Sequence, residues 1–359
     1  MRPFAKAGRR RTGTGLAFRG RDLGGGGAGA WRRGLLALTA IALAIGLPFP
    51  AAAQSFDLAP TQIAVGQVEI YVTRYEDTLL DVARRYDLGY TQLIAANRGV
   101  DPWLPGAGRR IVIPNFYILP DVPHRGIVVN LALQRLFYFP PDGRSVQTFP
   151  IGVGVEGRGT PLGVTRVVDK QVHPAWVPTP SILAEDPALP KVVPPGPDNP
   201  LGDYALALGW PSYLIHGTNQ PYGVGRMVSH GCIRLYPEDI ARLFAEVAVG
   251  TPVRVIDQPV QVAWIGSGLY VTVFPDAAQA AALESGRRVM PAIPPDLVQQ
   301  VIEAAGARSG EIDWRTLTRA GTERRGVPVR LTPALAAERG DHGPGGLAAR
   351  DVAGARRSP

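Results

Sequence analysis

Glycine and proline punctuate this chain densely: 43 glycines and 35 prolines, roughly a fifth of 359 residues, interrupt most runs that could otherwise grow into long helices. Such spacing favours short strands joined by turns, and a mainly β body is expected. Hydrophobic residues make up 45% and charged ones 19%, and the mean hydropathy is +0.03. These values exclude a wholly disordered chain and suit one large or two to three ordinary domains. The formal charge of +8 resides in the N-terminal region, where residues 1–53 carry nine Arg and Lys against Asp22 alone. The remainder is balanced, so the high isoelectric point does not argue for a polyanionic partner, and nucleic acid is not expected as one.

A basic stretch ending in Trp31-Arg32-Arg33 leads into an apolar run from Leu35 to Leu47, then Pro48, Pro50 and Ala51-Ala52-Ala53 before Gln54. This is the layout of a signal peptide, residues 1–53, cleaved after Ala53. As a helix the apolar run would rise only about 20 Å, short of a bilayer core of about 30 Å, which makes a membrane anchor the poorer reading. The arginine pair leaves twin-arginine export open beside general secretion. Export implies an oxidising compartment, yet the chain holds a single cysteine, Cys232. No intrachain disulfide or lipidated signal end is available, and the fold must stand on packing. A lone thiol kept in such a space is costly unless its chemistry is used.

Residues 69–114 read as a small β-α-α-β unit. Glu69-Ile70-Tyr71-Val72 is strand-like, Asp77 is the expected N-cap of a helix bearing Leu79, Leu80, Ala83 and Tyr86, and Thr91 is the expected cap of a second helix. A β-rich Arg110-Ile111-Val112-Ile113-Pro114 closes the unit. The text EDTLLDVARRYDLGYTQLIAANRGVDPWLPGAGRRIVIP resembles a LysM domain, although Glu76-Asp77 stands where that family usually has Gly-Asp. The resemblance implies binding of N-acetylglucosamine-containing glycans such as peptidoglycan. After a Pro-rich joint at 119–123, period-two patterning in Ile127–Leu133, Leu136–Phe139, Val164–Val168, Tyr204–Leu208 and Tyr213–Ile215 predicts an antiparallel sandwich or barrel. A helix beginning at Pro237 follows, with Ile240, Leu243, Phe244 and Val247 on one face, and Val253–Ile256 is the next strand. Residues 258–333 form a mixed α/β extension with two strands and three short helices. The stretch 334–359, rich in Gly, Ala, Arg and Pro, is expected to be a disordered, solvated tail.

The chemistry converges on one loop. Ile215-His216-Gly217-Thr218 ends a strand, and after a Gly/Pro-containing excursion the chain reads Ser229-His230-Gly231-Cys232-Ile233-Arg234. A thiol with a pKa near 8.5 is only slightly ionised at neutral pH, so a cysteine nucleophile needs a base such as His216 or a positive field. The Gly and Pro residues of the excursion let its ends fold together, and Gly217 and Gly231 suit tight backbone beside reacting atoms. Backbone N–H groups of His230, Gly231 and Cys232 are placed to meet the oxygen of a tetrahedral intermediate.

The order His-Gly, loop, Ser-His-Gly-Cys-Ile-Arg resembles the catalytic signature of the L,D-transpeptidases, the YkuD or ErfK/YbiS family. The flanking stretches GTPLGVTRVVDKQVHPAWVPTPSI and PGPDNPLGDYALAL extend the likeness over residues 125–257. It implies a mainly β, YkuD-like sandwich with a helix after the cysteine. It implies further that Cys232 attacks the amide between diaminopimelate and D-alanine of a peptidoglycan tetrapeptide stem, with His216 as base and the Gly217 carbonyl orienting its other ring nitrogen. His230 and Gly231 would line the oxyanion side. Ser229 matches a motif position, with either a direct role or a loop hydrogen bond; Arg234 holds a substrate carboxylate or an internal salt bridge. No cofactor is implied. The acyl acceptor is a second stem, giving a 3→3 crosslink, or the amine of an outer-membrane-anchored protein; water would make the enzyme an L,D-carboxypeptidase. Two rival readings are a zinc site built from His216, His230 and Cys232, disfavoured by the tight His-x-Cys spacing, and a non-catalytic wall-binding protein. The expected location is the periplasm, at the cell wall.

Overall fold

A computed structural model of the chain describes residues 54–154, 159–333 and 350–351. The export signal lies outside the described residues, as does the C-terminal stretch from 334 apart from Arg350 and Asp351. No helix among the described residues is long and apolar enough to cross a membrane.

Strand β1 (Gln54–Asp57) precedes the small module, which runs β2 (Ala64–Val72), α1 (Leu79–Arg85), α2 (Tyr90–Ala96) and β3 (Arg110–Ile118). β2 and β3 pair antiparallel from Ala64 opposite Ile118 to Val72 opposite Arg110. The two helices and the turn between them bury Leu79, Val82, Ala83, Leu88 and Leu93 against Ile111 and Ile113. Both helix starts differ from expectation. Thr78, not Asp77, caps α1 by accepting the Asp81 N–H, while the buried Asp77 carboxylate accepts the Arg74 N–H, the Tyr71 hydroxyl and an Arg85 guanidinium N–H. Gly89 occupies the N-cap of α2, and the Thr91 hydroxyl, one residue inside, reaches a distant glutamate instead. At Thr91 a long-range partner outcompeted the local cap, whereas Asp77 is drawn to neighbours within its own module.

The body follows as β4 (Gly126–Asn130), β5 (Arg135–Phe139), β6 (Ser145–Pro150), β7 (Val153–Gly154), β8 (Gly163–Val172), α3 (Pro180–Glu185), β9 (Tyr204–Leu208), β10 (Leu214–His216), β11 (Met227–Ser229), β12 (Ile233–Arg234), α4 (Pro237–Glu246) and β13 (Pro252–Ile256). Its main sheet has the order β1-β6-β5-β4-β13-β8-β9-β10-β12. β8 passes from one half of the sheet to the other: its first residues pair with β13 and its last with β9, with an irregularity between Val167 and Asp169. The halves share one core, in which Ile127, Val129, Leu136 and Phe149 meet Leu206, Leu208, Ile215 and Ile233 under Ile240 and Leu243 of α4 and its C-cap Val247. Each such side chain contributes about 1.5–3 kcal/mol by burial. The alternate residues Val128, Phe137, Phe139 and Val146 face a second cluster with Val65, Tyr117 and Leu119 of the small module. That is why β4 and β5 are buried on both faces. The sheet is mixed, not purely antiparallel: β4 pairs parallel with β13 and β10 parallel with β12. Parallel neighbours need crossover connections, and here the connection from β10 to β12 is the candidate catalytic loop itself.

The extension contains β14 (Val260–Ile265), β15 (Gly268–Val273), α5 (Ala277–Glu284), α6 (Leu297–Ala305), α7 (Trp314–Glu323) and β16 (Val329–Arg330) around its own core of Leu269, Val271, Leu297, Val301 and Leu317. A final two-residue strand, β17 (Arg350–Asp351), pairs parallel with β2.

Candidate active site

The two ends of the β10–β12 connection lie side by side because these strands are parallel neighbours, with Ile215 opposite Ile233 and His216 opposite Arg234. Ile215 and Ile233 are fully buried in the shared core. Side chains alternate along a strand, so His216, Arg234 and, one residue before Ile233, Cys232 lie on the opposite face.

His216 is 3% exposed. Its Nδ1 lies 2.6 Å from the Gly217 carbonyl oxygen, which places the ring proton on Nδ1 and leaves Nε2 as the acceptor. Burial foremost, then the Arg234 guanidinium, holds its pKa down to about 4, against hydrogen bonds to the backbone of Gly217 and Leu201 that favour the charged ring. The ring is therefore a neutral base at neutral pH. Burial pushes the Cys232 thiol up, offset in part by the Leu214 backbone and by Arg234. Its Sγ–H donates to the Ser212 carbonyl over 3.6 Å. Ser212 holds φ at +67°, unusual for a non-glycine residue, in the tight connection between β9 and β10. The resting pair is thus thiol and neutral imidazole, with proton transfer coupled to attack.

The cysteine sits at the end of a tied turn. Ser229, 1% exposed, donates its hydroxyl to the Cys232 carbonyl at 2.6 Å and accepts the Gly231 N–H at 3.2 Å. Gly231 has φ at +105°, a conformation that L side chains rarely adopt, and its carbonyl accepts the Thr160 hydroxyl at 2.7 Å. The Gly231 N–H, expected with its neighbours at an oxyanion, is therefore spent inside the turn, and Ser229 makes the loop hydrogen bonds. The His230 imidazole points to Glu185 of α3, with Nε2 3.0 Å from Oε2 and both side chains about two-fifths exposed. Gly217 is required by close approach: a Cβ there would come within 3.0 Å of Ile240 Cγ2 and 3.3 Å of the Leu201 carbonyl oxygen. Arg234 is half-buried, and its buried Nε has no hydrogen-bond partner. Desolvation lowers its pKa, and the nearby Cys232 opposes that. A group prepared to meet an anion would have this character.

Thr160, Glu185 and Asn199 were not singled out from sequence. Asn199 is fully buried; its Nδ2 donates to the carbonyls of Pro174, Val193 and Pro194, and its Oδ1 accepts the Leu201 N–H. It thereby shapes the segment that lays Leu201 against His216. The only signal available was an Asn-Pro turn dipeptide in a proline-rich stretch. Among the described residues no group of three or more His, Cys, Asp or Glu is disposed to hold a metal ion.

Comparison with known proteins assigns two domains to the chain. The family model of the L,D-transpeptidase catalytic domain matches residues 124–255, and that of the LysM domain matches residues 71–114. The chain is 42% identical over 257 residues to the probable L,D-transpeptidase ErfK/SrfK of Escherichia coli strain K12, covering 70% of this chain and 81% of that protein. It is 38% identical over 305 residues to the probable L,D-transpeptidase ErfK/SrfK of Salmonella typhimurium, covering 83% and 94% respectively. The NMR structure of the catalytic domain from the E. faecium L,D-transpeptidase is 28% identical, covers 38% of this chain and 100% of that one, and superposes with a TM-score of 0.31. The chain belongs to the L,D-transpeptidase family, an enzyme with a YkuD catalytic domain preceded by a LysM domain.

Proposed function

We propose that this enzyme acts at the bacterial cell wall by cysteine acyl transfer on peptidoglycan tetrapeptide stems. The observation that carries the reading is the buried, neutral His216, its Nδ1 tied to the Gly217 carbonyl, on the strand beside the half-buried Cys232. The Cys232 sulfur attacks the carbonyl carbon of the amide between diaminopimelate and D-alanine as the thiol proton passes to His216 Nε2. The N–H groups of His230 and Cys232 face the oxyanion. Collapse breaks the C–N bond, the D-alanine amine leaves with the proton from His216, and a thioester remains on Cys232. An acceptor amine then attacks the thioester, gives its proton to His216 and restores the thiol. A second stem as acceptor gives a 3→3 crosslink, an outer-membrane-anchored protein gives a covalent tether, and water gives a tripeptide. The Arg234 guanidinium suits a substrate carboxylate.

The LysM domain supplies affinity for the glycan strands. The basic and apolar N-terminal region directs export to the periplasm, and cleavage after Ala53 leaves β1 whole at the sheet edge. The test is mass spectrometry of residues 54–359, wild type and Cys232→Ala, incubated with disaccharide-tetrapeptide. A Cys232-dependent dimer that has lost one D-alanine is expected; a tripeptide monomer would assign carboxypeptidase action. No turnover and no adduct on Cys232 would refute the enzymatic reading.

A further inference from the structure

Seven residues before Cys232, at Gly225, backbone from the LysM domain touches the catalytic loop. A Cβ on Gly225 would come within 2.1 Å of Gly89 Cα and 2.3 Å of the Tyr90 nitrogen, so only two apposed glycines allow the approach. The Thr91 N–H of α2 donates to the Gly225 carbonyl at 3.0 Å, and the Gly225 N–H donates to the Ile151 carbonyl at 3.1 Å. The next residue, Arg226, is held from two sides. Its guanidinium lies 4.3 Å over the ring of Tyr90 in the LysM domain, and its Nε lies 3.8 Å from Glu284 Oε2 of α5 in the C-terminal extension. Glu284 in turn accepts the Thr91 hydroxyl at 2.6 Å through its other oxygen. Both side chains of the ion pair are mostly buried, 24% and 17% exposed, where such pairs are less screened than at the surface. The Arg226 carbonyl accepts the Val153 N–H, which starts the short β7–β11 ladder. From there the chain runs through Met227 and Ser229 into the turn that presents Cys232.

We infer that Arg226 is a positioning residue for the transfer reaction, gripped by Tyr90 of the LysM domain and Glu284 of the extension so that β11 and the Ser229–Cys232 turn are held in their reactive geometry. The LysM domain and the extension are on this view part of the catalytic apparatus as well as its attachment. The inference rests on Cys232 being the nucleophile. The extension, for which the sequence suggested no chemistry, thereby acquires a role, since its helix α5 carries the carboxylate that joins the LysM domain to the catalytic loop.

The test uses the full chain as wild type, Arg226→Ala, Arg226→Lys, Glu284→Gln and Cys232→Ala, at a temperature well below every melting midpoint. The rate of Cys232 acylation by a carbapenem is followed by intact mass, and kcat and KM for disaccharide-tetrapeptide are measured beside it. Arg226→Ala is expected to slow acylation tenfold or more and to lower kcat in parallel, with KM within twofold. Arg226→Lys keeps the charge and restores most of the rate. Glu284→Gln, which keeps an acceptor for Thr91 and loses the ion pair, slows acylation two- to fivefold and provides the reading should Arg226→Ala not fold. Acylation of both Arg226→Ala and Glu284→Gln within twofold of wild type would overturn the clamp alone, as would an Arg226→Lys rate no better than that of Arg226→Ala. Absence of an adduct on wild-type Cys232 would overturn the nucleophile assignment and the clamp with it.

Discussion

Replacing Asp239 by asparagine should stabilise the protein above pH 7 and flatten its stability profile below. Asp87, in the turn between α1 and α2 of the LysM domain, and Asp239, in the first turn of α4, are 2% and 1% exposed and share a hydrogen bond. Burial holds the Asp87 carboxyl up to about 7 against the opposing pull of Arg135, the Gln54 N–H, the bond to Asp239 and Arg242. Burial, then the charges of Asp87 and Glu238, raises Asp239 well above the usual range, with Arg135 opposing. Two carboxylates cannot both ionise here cheaply, so the pair keeps a proton. In the unfolded chain both lose their protons near pH 4. Between about pH 4 and 7 the folded state thus binds more protons than the unfolded one, and stability falls as pH rises. The gap for Asp87, from 3.8 to about 7, sets an upper limit of about 4 kcal/mol at 1.36 kcal/mol per pH unit. Asparagine keeps the shape, donates an N–H to Asp87 and removes the like charge. Urea unfolding, followed by tryptophan fluorescence on the full chain from pH 4.5 to 8, is expected to show wild type losing about 2–4 kcal/mol across the window and Asp239→Asn losing less, its remaining slope being that of the still buried Asp87. A wild type whose stability is flat or rises, or an asparagine variant weaker than wild type at pH 8, would refute the shared-proton account.

His216→Gln should lower kcat about 10²–10⁴-fold by removing the acceptor. Because burial and Arg234 hold the ring down to about 4, the base form persists to acid, and the acid limb of kcat/KM should fall near pH 4; an inflection between pH 6 and 7 would contradict the assignment. Ser229→Ala leaves the Cys232 carbonyl and the Gly231 N–H without partners, and urea titration should show a loss of about 1–3 kcal/mol. The bidentate Arg84–Glu238 pair joins α1 to α4 at 2.8 Å, yet Arg84 is 40% exposed. Arg84→Ala should therefore cost no more than about 1 kcal/mol in the same titration, small beside the effect of the buried aspartates.

Packing at the LysM junction and pairing at the active site follow one logic: strand alternation and local turns position backbone, and long-range contacts decide which side chains become partners. Arg135 illustrates this. It lies in β5, where a charged residue is unexpected, and is fully buried. Its guanidinium donates to Thr148 and to the Asp87 carbonyl and lies 4.3 Å over the Tyr117 ring.

Periodicity and motif spacing by themselves determined a great deal: the β-α-α-β module, the strands at 126–139 and 204–216, the helix after Cys232, and a cysteine and histidine drawn together by a loop. These are local properties, set by residues a few positions apart. The parallel pairing of β10 with β12, and so the face shared by His216, Cys232 and Arg234, was decided only by the tertiary structure, since hydrogen-bonding direction between distant strands leaves no periodic trace. The same holds for the displaced helix caps at Asp77 and Thr91, the Gly231 N–H turned to Ser229, the Asn199 staple and the Arg226 clamp. At Thr91 and Arg226 a polar group met a distant partner in a drier place, while at Asp77, Gly231 and Asn199 the partners are nearer in sequence and the folded turn chose among them.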